Sequence, residues 1–159
     1  MLELGCGAGA STSALAVRFE IVAVDISAEQ LALARRRVPD ATFLEADFAT
    51  LELEDESFGG VCALYSITHV PREEHAGLFG RIAGWLRPGG LFLASLSSRG
   101  SDDWRGAWLG VEMFFSGHDA ETNRRLLREA GFDLVHEEVA TIEEPEGPAE
   151  FLWVLARKG

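Results

Sequence analysis

Cysteine, histidine and positive charge are all scarce in this 159-residue chain. The two cysteines, Cys6 and Cys62, stand in no Cys-x-x-Cys or Cys/His spacing. The four histidines (His69, His75, His118 and His136) are scattered, so a zinc site is not supported and no metal is expected. Both cysteines read as small buried residues in a reducing compartment. No apolar run approaches the roughly 20 residues needed to cross a bilayer. The N-terminus lacks the basic-then-apolar pattern of a secretory signal, so a cytoplasmic protein without membrane attachment is the expectation. Only 14 basic residues face 26 acidic ones, a formal net charge of −12. Such a surface repels a phosphate backbone, which argues against a nucleic-acid partner. The one basic cluster, Arg35-Arg36-Arg37, closes a predicted helix, where the C-terminal dipole accounts for it. Repeats, low-complexity tracts and linkers are also missing, so a single domain over 1–159 is expected.

What is present is an alternation of strands and helices. Residues 1–4 end a first strand, a glycine turn follows, and a helix runs over 10–18. Residues 20–25 form an apolar, β-branched strand. Ser27 and Gln30 then fit a capping box for a helix carrying Leu31, Ala34 and Val38 on one face and stopping at Pro39. Strands are predicted over 41–46 and 58–65, with a helix from Pro71 to Leu86 placing Leu78, Ile82 and Trp85 inward. Arg87-Pro88-Gly89-Gly90 is a turn into a fifth strand over 91–96. Residues 97–118, rich in Ser, Gly and Trp, read as a long irregular and functional segment. Asp119 opens a helix with Leu126, Leu127 and Ala130 inward, ended by Gly131. Two last strands over 132–141 and 151–157 are joined by an acidic loop around Pro145 and Pro148. Continuous apolar strands separated by helices imply an α/β fold, a mostly parallel sheet covered on both faces.

The chemistry concentrates in Met1–Gly9. There a strand ends in Gly5-Cys6-Gly7-Ala8-Gly9, with the acidic Glu3 two places before the first glycine. Glycines let the backbone adopt φ > 0 and approach a nucleotide-like ligand closely. Gly5, Gly7 and Ala10 satisfy G-x-G-x-x-A, and Asp25 lies twenty residues past Gly5 at the end of strand two, where a carboxylate grips ribose hydroxyls. Taken alone, this pattern leaves NAD and other adenosine cofactors open.

Three further features bear on the choice: Glu3 with the G-x-G-x-G spacing, Asp47 at the end of strand three, and Leu86–Leu91 leading into strand five before a helix-strand-strand ending. Together they resemble the class I S-adenosylmethionine-dependent methyltransferases over nearly the whole chain. The resemblance implies a three-layer Rossmann-like sandwich with a seven-stranded sheet of order 3-2-1-4-5-7-6, the last strand antiparallel. It implies that Gly5, Cys6, Gly7 and Gly9 line the methionine and ribose parts of the cofactor, and that Glu3 helps hold the amino end. Asp25 would accept from the ribose hydroxyls and Ile26 would pack on the adenine. Asp47 would face the adenine amino group with Phe48 beside the ring, and Leu64 and Tyr65 would edge the methionine moiety. The implied function is methyl transfer from S-adenosylmethionine to a small-molecule acceptor by a monomer or homodimer. A non-catalytic binder of S-adenosylmethionine or S-adenosylhomocysteine, and an NAD-dependent oxidoreductase, are the alternatives.

The acceptor pocket is expected from residues after strands four and five: Ser66, Thr68 and His69, then Trp104–His118 with Trp108, Met113, Phe114 and Phe115. Such an aromatic cluster suits an apolar or aromatic small molecule, or one whose cation it grips, or else packs a flap onto the sheet. His118 and His69 are the candidate bases. Members of the family also carry an N-terminal helical segment before strand one that covers the cofactor. This sequence starts in strand one, so the expectation is that upstream residues or a partner subunit supply that cover, or that the site works open.

Overall fold

The computed structural model describes all residues except Leu109, Pro145 and Glu146, and the side chains of Trp108 and Glu144 also lie outside the described set. The predicted loop at Pro145 therefore falls outside it. The main sheet has seven strands: β1 (Leu2–Leu4), β2 (Val22–Asp25), β3 (Thr42–Glu45), β4 (Phe58–Ala63), β5 (Leu86–Ser97), β8 (Phe132–Glu144) and β9 (Gly147–Lys158). Their order is β3-β2-β1-β4-β5-β9-β8. Strands β1 to β5 pair in parallel, and β9 runs antiparallel to both β5 and β8. That is the expected order once two inserted strands are counted.

Those two strands are the main departure from the expected fold. The stretch read as irregular folds into an antiparallel hairpin, β6 (Arg99–Trp108) and β7 (Val111–Asp119), in a sheet of its own. It leaves the C-terminal end of β5, the edge at which an open α/β sheet binds ligands. The Arg87–Gly90 turn persists as an outward loop within β5. Phe58 pairs with Leu86, but Gly60 already pairs with Leu91, so the intervening residues bulge out. Gly89 sits there at φ +75°.

The helices are α1 (Ala10–Leu15), α2 (Ala28–Arg37), α3 (His75–Trp85) and α4 (Ala120–Glu129). Helix α1 is shorter than predicted, and the predicted start at Pro71 resolves into a 3-10 turn at Arg72–Glu74 before α3. Ser27 caps α2 by accepting from Gln30 N at 3.3 Å, and Asp119 caps α4 by accepting from Thr122 N at 2.7 Å. Only half of the predicted capping box is built, because the Ser27 backbone N–H donates to Asp25 Oδ1 at 2.9 Å and not to the Gln30 side chain.

Alternating strand residues divide into two cores, giving three layers. Leu2, Leu4 and Val24 face the side packed by Leu78, Phe79, Ile82 and Trp85 of α3 and Leu127 of α4. Ala23, on the opposite face of β2, joins Cys6, Ile21 and Leu31 of α2. The α3–α4 side is the larger core. On the other side an apolar groove of about 400 Å³ opens between Leu15 and Phe19 and the β4–β5–β9 strip at Val61, Leu93 and Leu155.

Candidate cofactor and acceptor cleft

The strand β1 to helix α1 connection is built for close approach. Gly5, Gly7 and Gly9 all take positive φ (74°, 51° and 80°). At Gly5 a Cβ would lie 2.3 Å from Ser66 Cβ, so the turn is sterically closed to any side chain. Gly5 N and Cys6 N donate to Val24 O at 2.8 and 3.0 Å, pinning the turn to the end of β2.

Asp25 completes that attachment. Its Oδ2 accepts from Gly7 N at 2.7 Å and its Oδ1 from Ser27 N at 2.9 Å, so one carboxylate ties the glycine turn to the start of α2. Each carboxylate oxygen can accept a second bond, which leaves capacity for a hydroxyl pair at the cleft. Asp47 uses Oδ1 to accept from Ala49 N at 2.9 Å and lines the same cleft. The next turn is steadied by Arg81 Nη2, which donates to Ala49 O.

These residues surround a cleft of about 640 Å³ at the C-terminal edge of the sheet, a volume in the range of small-molecule sites. Of the residues singled out in the sequence, Gly5, Gly7, Asp25, Ile26, Asp47, Phe48 and Tyr65 line it. Ile26 is 71% exposed, an apolar side chain held at the mouth. Tyr65 follows β4 at φ +56°, strained backbone of a kind that concentrates at ligand sites. Its amide donates to Ser95 Oγ at 2.7 Å, and its ring meets Phe151 and Trp153 edge-on at 4.9 and 5.6 Å.

Four predicted cofactor residues do not border the cleft: Glu3, Cys6, Gly9 and Leu64. Glu3 is 1% exposed, and its carboxylate accepts from the hydroxyls of Ser11 and, at 2.6 Å, Thr12. It therefore fixes the first turn of α1 instead of reaching a ligand. Burial raises its carboxyl above the ordinary value, while the two hydroxyl bonds pull it back down. Cys6 is packed in the second core, where burial, with help from Asp25 and Glu3, pushes the thiol up to about 12. Gly9 serves helix packing, since a Cβ there would stand 3.1 Å from Ala34 Cα.

The two histidine candidates separate. His69 lines the cleft and its Nδ1 lies 2.8 Å from Phe114 O. A carbonyl only accepts, so Nδ1 carries the proton and Nε2 is the basic nitrogen of the neutral ring. His118 is not brought to the cleft. Its Nε2 donates to Arg72 O at 2.9 Å, and its ring lies edge-on to buried His75 at 5.6 Å. That correction has a simple cause: His118 belongs to the base of the hairpin, while His69 belongs to the segment on which the hairpin rests.

Arg72 N donates to Ser116 Oγ at 3.0 Å and the Arg72 guanidinium pairs with Asp102 at 2.8 Å, further fastening the hairpin to that segment. The predicted aromatic cluster divides its labour. Met113 and Phe114 line the cleft, while Trp104, Phe115 and His69 pack together, with centroid distances of 5.8 Å (Trp104–Phe115) and 4.8 Å (His69–Phe115). Gln30, Arg105 and Glu112 also line the cleft and had no sequence signal, except that Gln30 had been read as a cap. Among the described residues no group of three or more His, Cys, Asp or Glu side chains is placed to hold a metal ion. No helix among them is long and apolar enough to cross a membrane.

Comparison with known proteins agrees with this geometry. The sequence model of the methyltransferase domain family matches residues 1–90. The trans-aconitate 2-methyltransferase of Variovorax paradoxus (strain S110) is 38% identical over 94 residues, covering 57% of this chain and 36% of that protein. The match thus spans about a third of the length of this curated relative. An S-adenosylmethionine-dependent methyltransferase from Methanosarcina mazei superposes with a TM-score of 0.85 at 19% identity, covering 99% of this chain and 91% of the other. The 1,6-didemethyltoxoflavin-N1-methyltransferase of Burkholderia thailandensis, solved with S-adenosylhomocysteine, superposes with a TM-score of 0.74 at 24% identity, covering 99% and 69%. With the family match covering more than half its length, the chain belongs to the methyltransferase domain family, and its fold is that of the S-adenosylmethionine-dependent methyltransferases.

Proposed function

We propose that this chain binds S-adenosylmethionine in the cleft at the C-terminal edge of its sheet and transfers the methyl group to a small-molecule acceptor. The observation that carries this reading is the joining of the glycine turn, Asp25 and Asp47 around one cleft of about 640 Å³. The donor set fits the cofactor. A backbone cradle that no Cβ could share lies beside a carboxylate with spare acceptor capacity, and two non-polar side chains, Ile26 and Phe48, offer faces for a flat ring. The S-adenosylhomocysteine held by the Burkholderia neighbour supports the choice of cofactor. The acceptors named for the trans-aconitate and didemethyltoxoflavin enzymes support a small molecule.

Bound S-adenosylmethionine supplies an electrophilic methyl group on a sulfonium, whose departure as a neutral thioether needs little charge stabilisation. The residues of this chain then act by positioning. Asp25 and Asp47 fix the adenosine end. Tyr65 and Ser66 bound the methyl-transfer end, and Met113 and Phe114 cover it against water. His69 Nε2 takes up the proton of an acceptor that carries one, with the Phe114 carbonyl holding the imidazole in the required tautomer.

Calorimetry with S-adenosylhomocysteine tests cofactor binding, with a nicotinamide dinucleotide as control. Heat with the dinucleotide and none with adenosylhomocysteine overturns the proposal. Once an acceptor is found by release of adenosylhomocysteine, His69→Ala is expected to lower kcat about 10²-fold or more for a protonated acceptor. Its adenosylhomocysteine affinity should be unchanged. Full turnover at every pH removes His69 as the base.

A further inference from the structure

We propose that Arg105 forms an anion subsite at the hairpin end of the cleft and that the acceptor carries a carboxylate there. The inference rests on the methyl-transfer reading above and names the class of its acceptor. Arg105 lies on β6 directly opposite Phe114 on β7, and its guanidinium carbon stands 4.6 Å from the Phe114 ring centroid. The carbonyl of the same Phe114 accepts from His69 Nδ1. One residue therefore bears both the cation and the imidazole of the methyl-transfer end.

Stacking occupies the face of a guanidinium and leaves its edge free. That edge carries a planar fork of N–H donors matched to a carboxylate, and the ring beneath it limits the rotamers a ligand would otherwise have to freeze. Among the described residues Arg105 is also the only lysine or arginine lining the cleft. Arg72, Arg99, Arg124 and Arg125 are each paired with an acidic side chain. Among the described residues Arg105 makes no ion pair, although Glu112 lines the same cleft and is placed on the same face of the hairpin by the Ala107–Glu112 pairing. The cofactor end of the cleft presents Asp25 and Asp47 and the hairpin end Glu112, so among the charged side chains described at the cleft Arg105 alone attracts an anion, and it lies at the hairpin end. Orientation follows: the anionic group points to the hairpin, away from the adenosine end.

The test uses the full chain saturated with S-adenosylhomocysteine and titrated with benzoate, succinate and trans-aconitate, beside benzamide and succinamide, by calorimetry. At least one carboxylate is expected to bind at least tenfold more tightly than its neutral counterpart. Arg105→Ala should lower that affinity at least tenfold and leave adenosylhomocysteine affinity within twofold, with Arg105→Lys retaining part of the carboxylate binding. Absence of binding by every carboxylate overturns the proposal, as does equal affinity for the amide or for the Arg105→Ala variant. Loss of adenosylhomocysteine affinity in that variant also overturns it, assigning the guanidinium to the cofactor. Failure of the unaltered chain to bind adenosylhomocysteine overturns the cofactor reading instead, and is scored before any acid is added.

Discussion

Asp25 holds two backbone amides before any ligand arrives, so its removal acts twice. Asp25→Ala withdraws the acceptor proposed for the ribose hydroxyls and releases Gly7 N and Ser27 N from their anchor. Adenosylhomocysteine affinity measured by calorimetry should fall at least tenfold, about 1.4 kcal/mol. Circular dichroism should still report the folded sheet, because the core strands do not depend on this carboxylate. Glu3 presents the opposite case, a buried carboxylate serving the fold. Its folded value is raised by burial, so ionisation costs stability: the contribution is full below the unfolded value and declines as pH rises through the raised folded one. Denaturant titrations from pH 4 to 8 should therefore show the native chain losing stability with rising pH relative to Glu3→Gln, whose amide can still meet the Ser11 and Thr12 hydroxyls. A pH-independent difference between the two would show that Glu3 does not titrate in this way.

At the scale of elements, the hairpin β6–β7 is the part on which the proposed acceptor chemistry depends. It is attached to the 67–75 segment by His69–Phe114, Arg72–Ser116 and His118–Arg72 contacts. His118→Ala removes one strap, worth about 1 kcal/mol. Trypsin should then cut at Arg99 or Arg105 faster than in the native chain, with adenosylhomocysteine affinity held within twofold. Unchanged cleavage would mean that His118 bears no part of the attachment.

This element also marks the limit of what the sequence disclosed. Strands β1 to β5, the caps Ser27 and Asp119, and the inward faces of α2 to α4 were legible because each rests on local periodicity or a local hydrogen bond. The hairpin was not. Its strands lack clean apolar alternation, and Gly106 occurs where the Trp104 ring lies over the backbone, a Cβ there falling 2.4 Å from Cζ2. Arg105 and Glu112 reach the cleft only after a chain reversal that brings Phe114 to His69 across 45 positions, and no local pattern encodes that return. The bonds of Glu3 to Ser11 and Thr12 were hidden for a related reason: a carboxylate two residues before a glycine turn reads alike whether it points to a ligand or to the next helix.

Across the whole molecule, the two faces of the sheet carry unequal shares of the stability. Phe79 is fully buried in the α3–α4 core, where Phe92 and Phe132 extend the aromatic contact. Phe19, on the other side, is 54% exposed beside the open groove. Urea denaturation should show Phe79→Ala destabilised by about 3–5 kcal/mol and Phe19→Ala changed by about 0.5 kcal/mol or less. Comparable losses at both positions would mean that the groove side is packed as firmly as the α3–α4 core.

The contact between Gly5 and Ser66 links positions that chain order keeps apart. With only 2.3 Å between Ser66 Cβ and the space a Gly5 side chain would fill, Gly5 cannot change alone. A larger residue at Gly5 must push away the β4 end that carries Tyr65. A substitution at Ser66 gives up its bond to Leu4 O at 2.7 Å, the carbonyl just before the turn. The glycine turn and the end of β4 are thus mechanically coupled, and with them the proposed cofactor and methyl-transfer ends of the cleft. Variation at the proposed acceptor end is therefore expected to be tolerated better at the cleft-lining hairpin positions 112–114 than at Gly5 or Ser66.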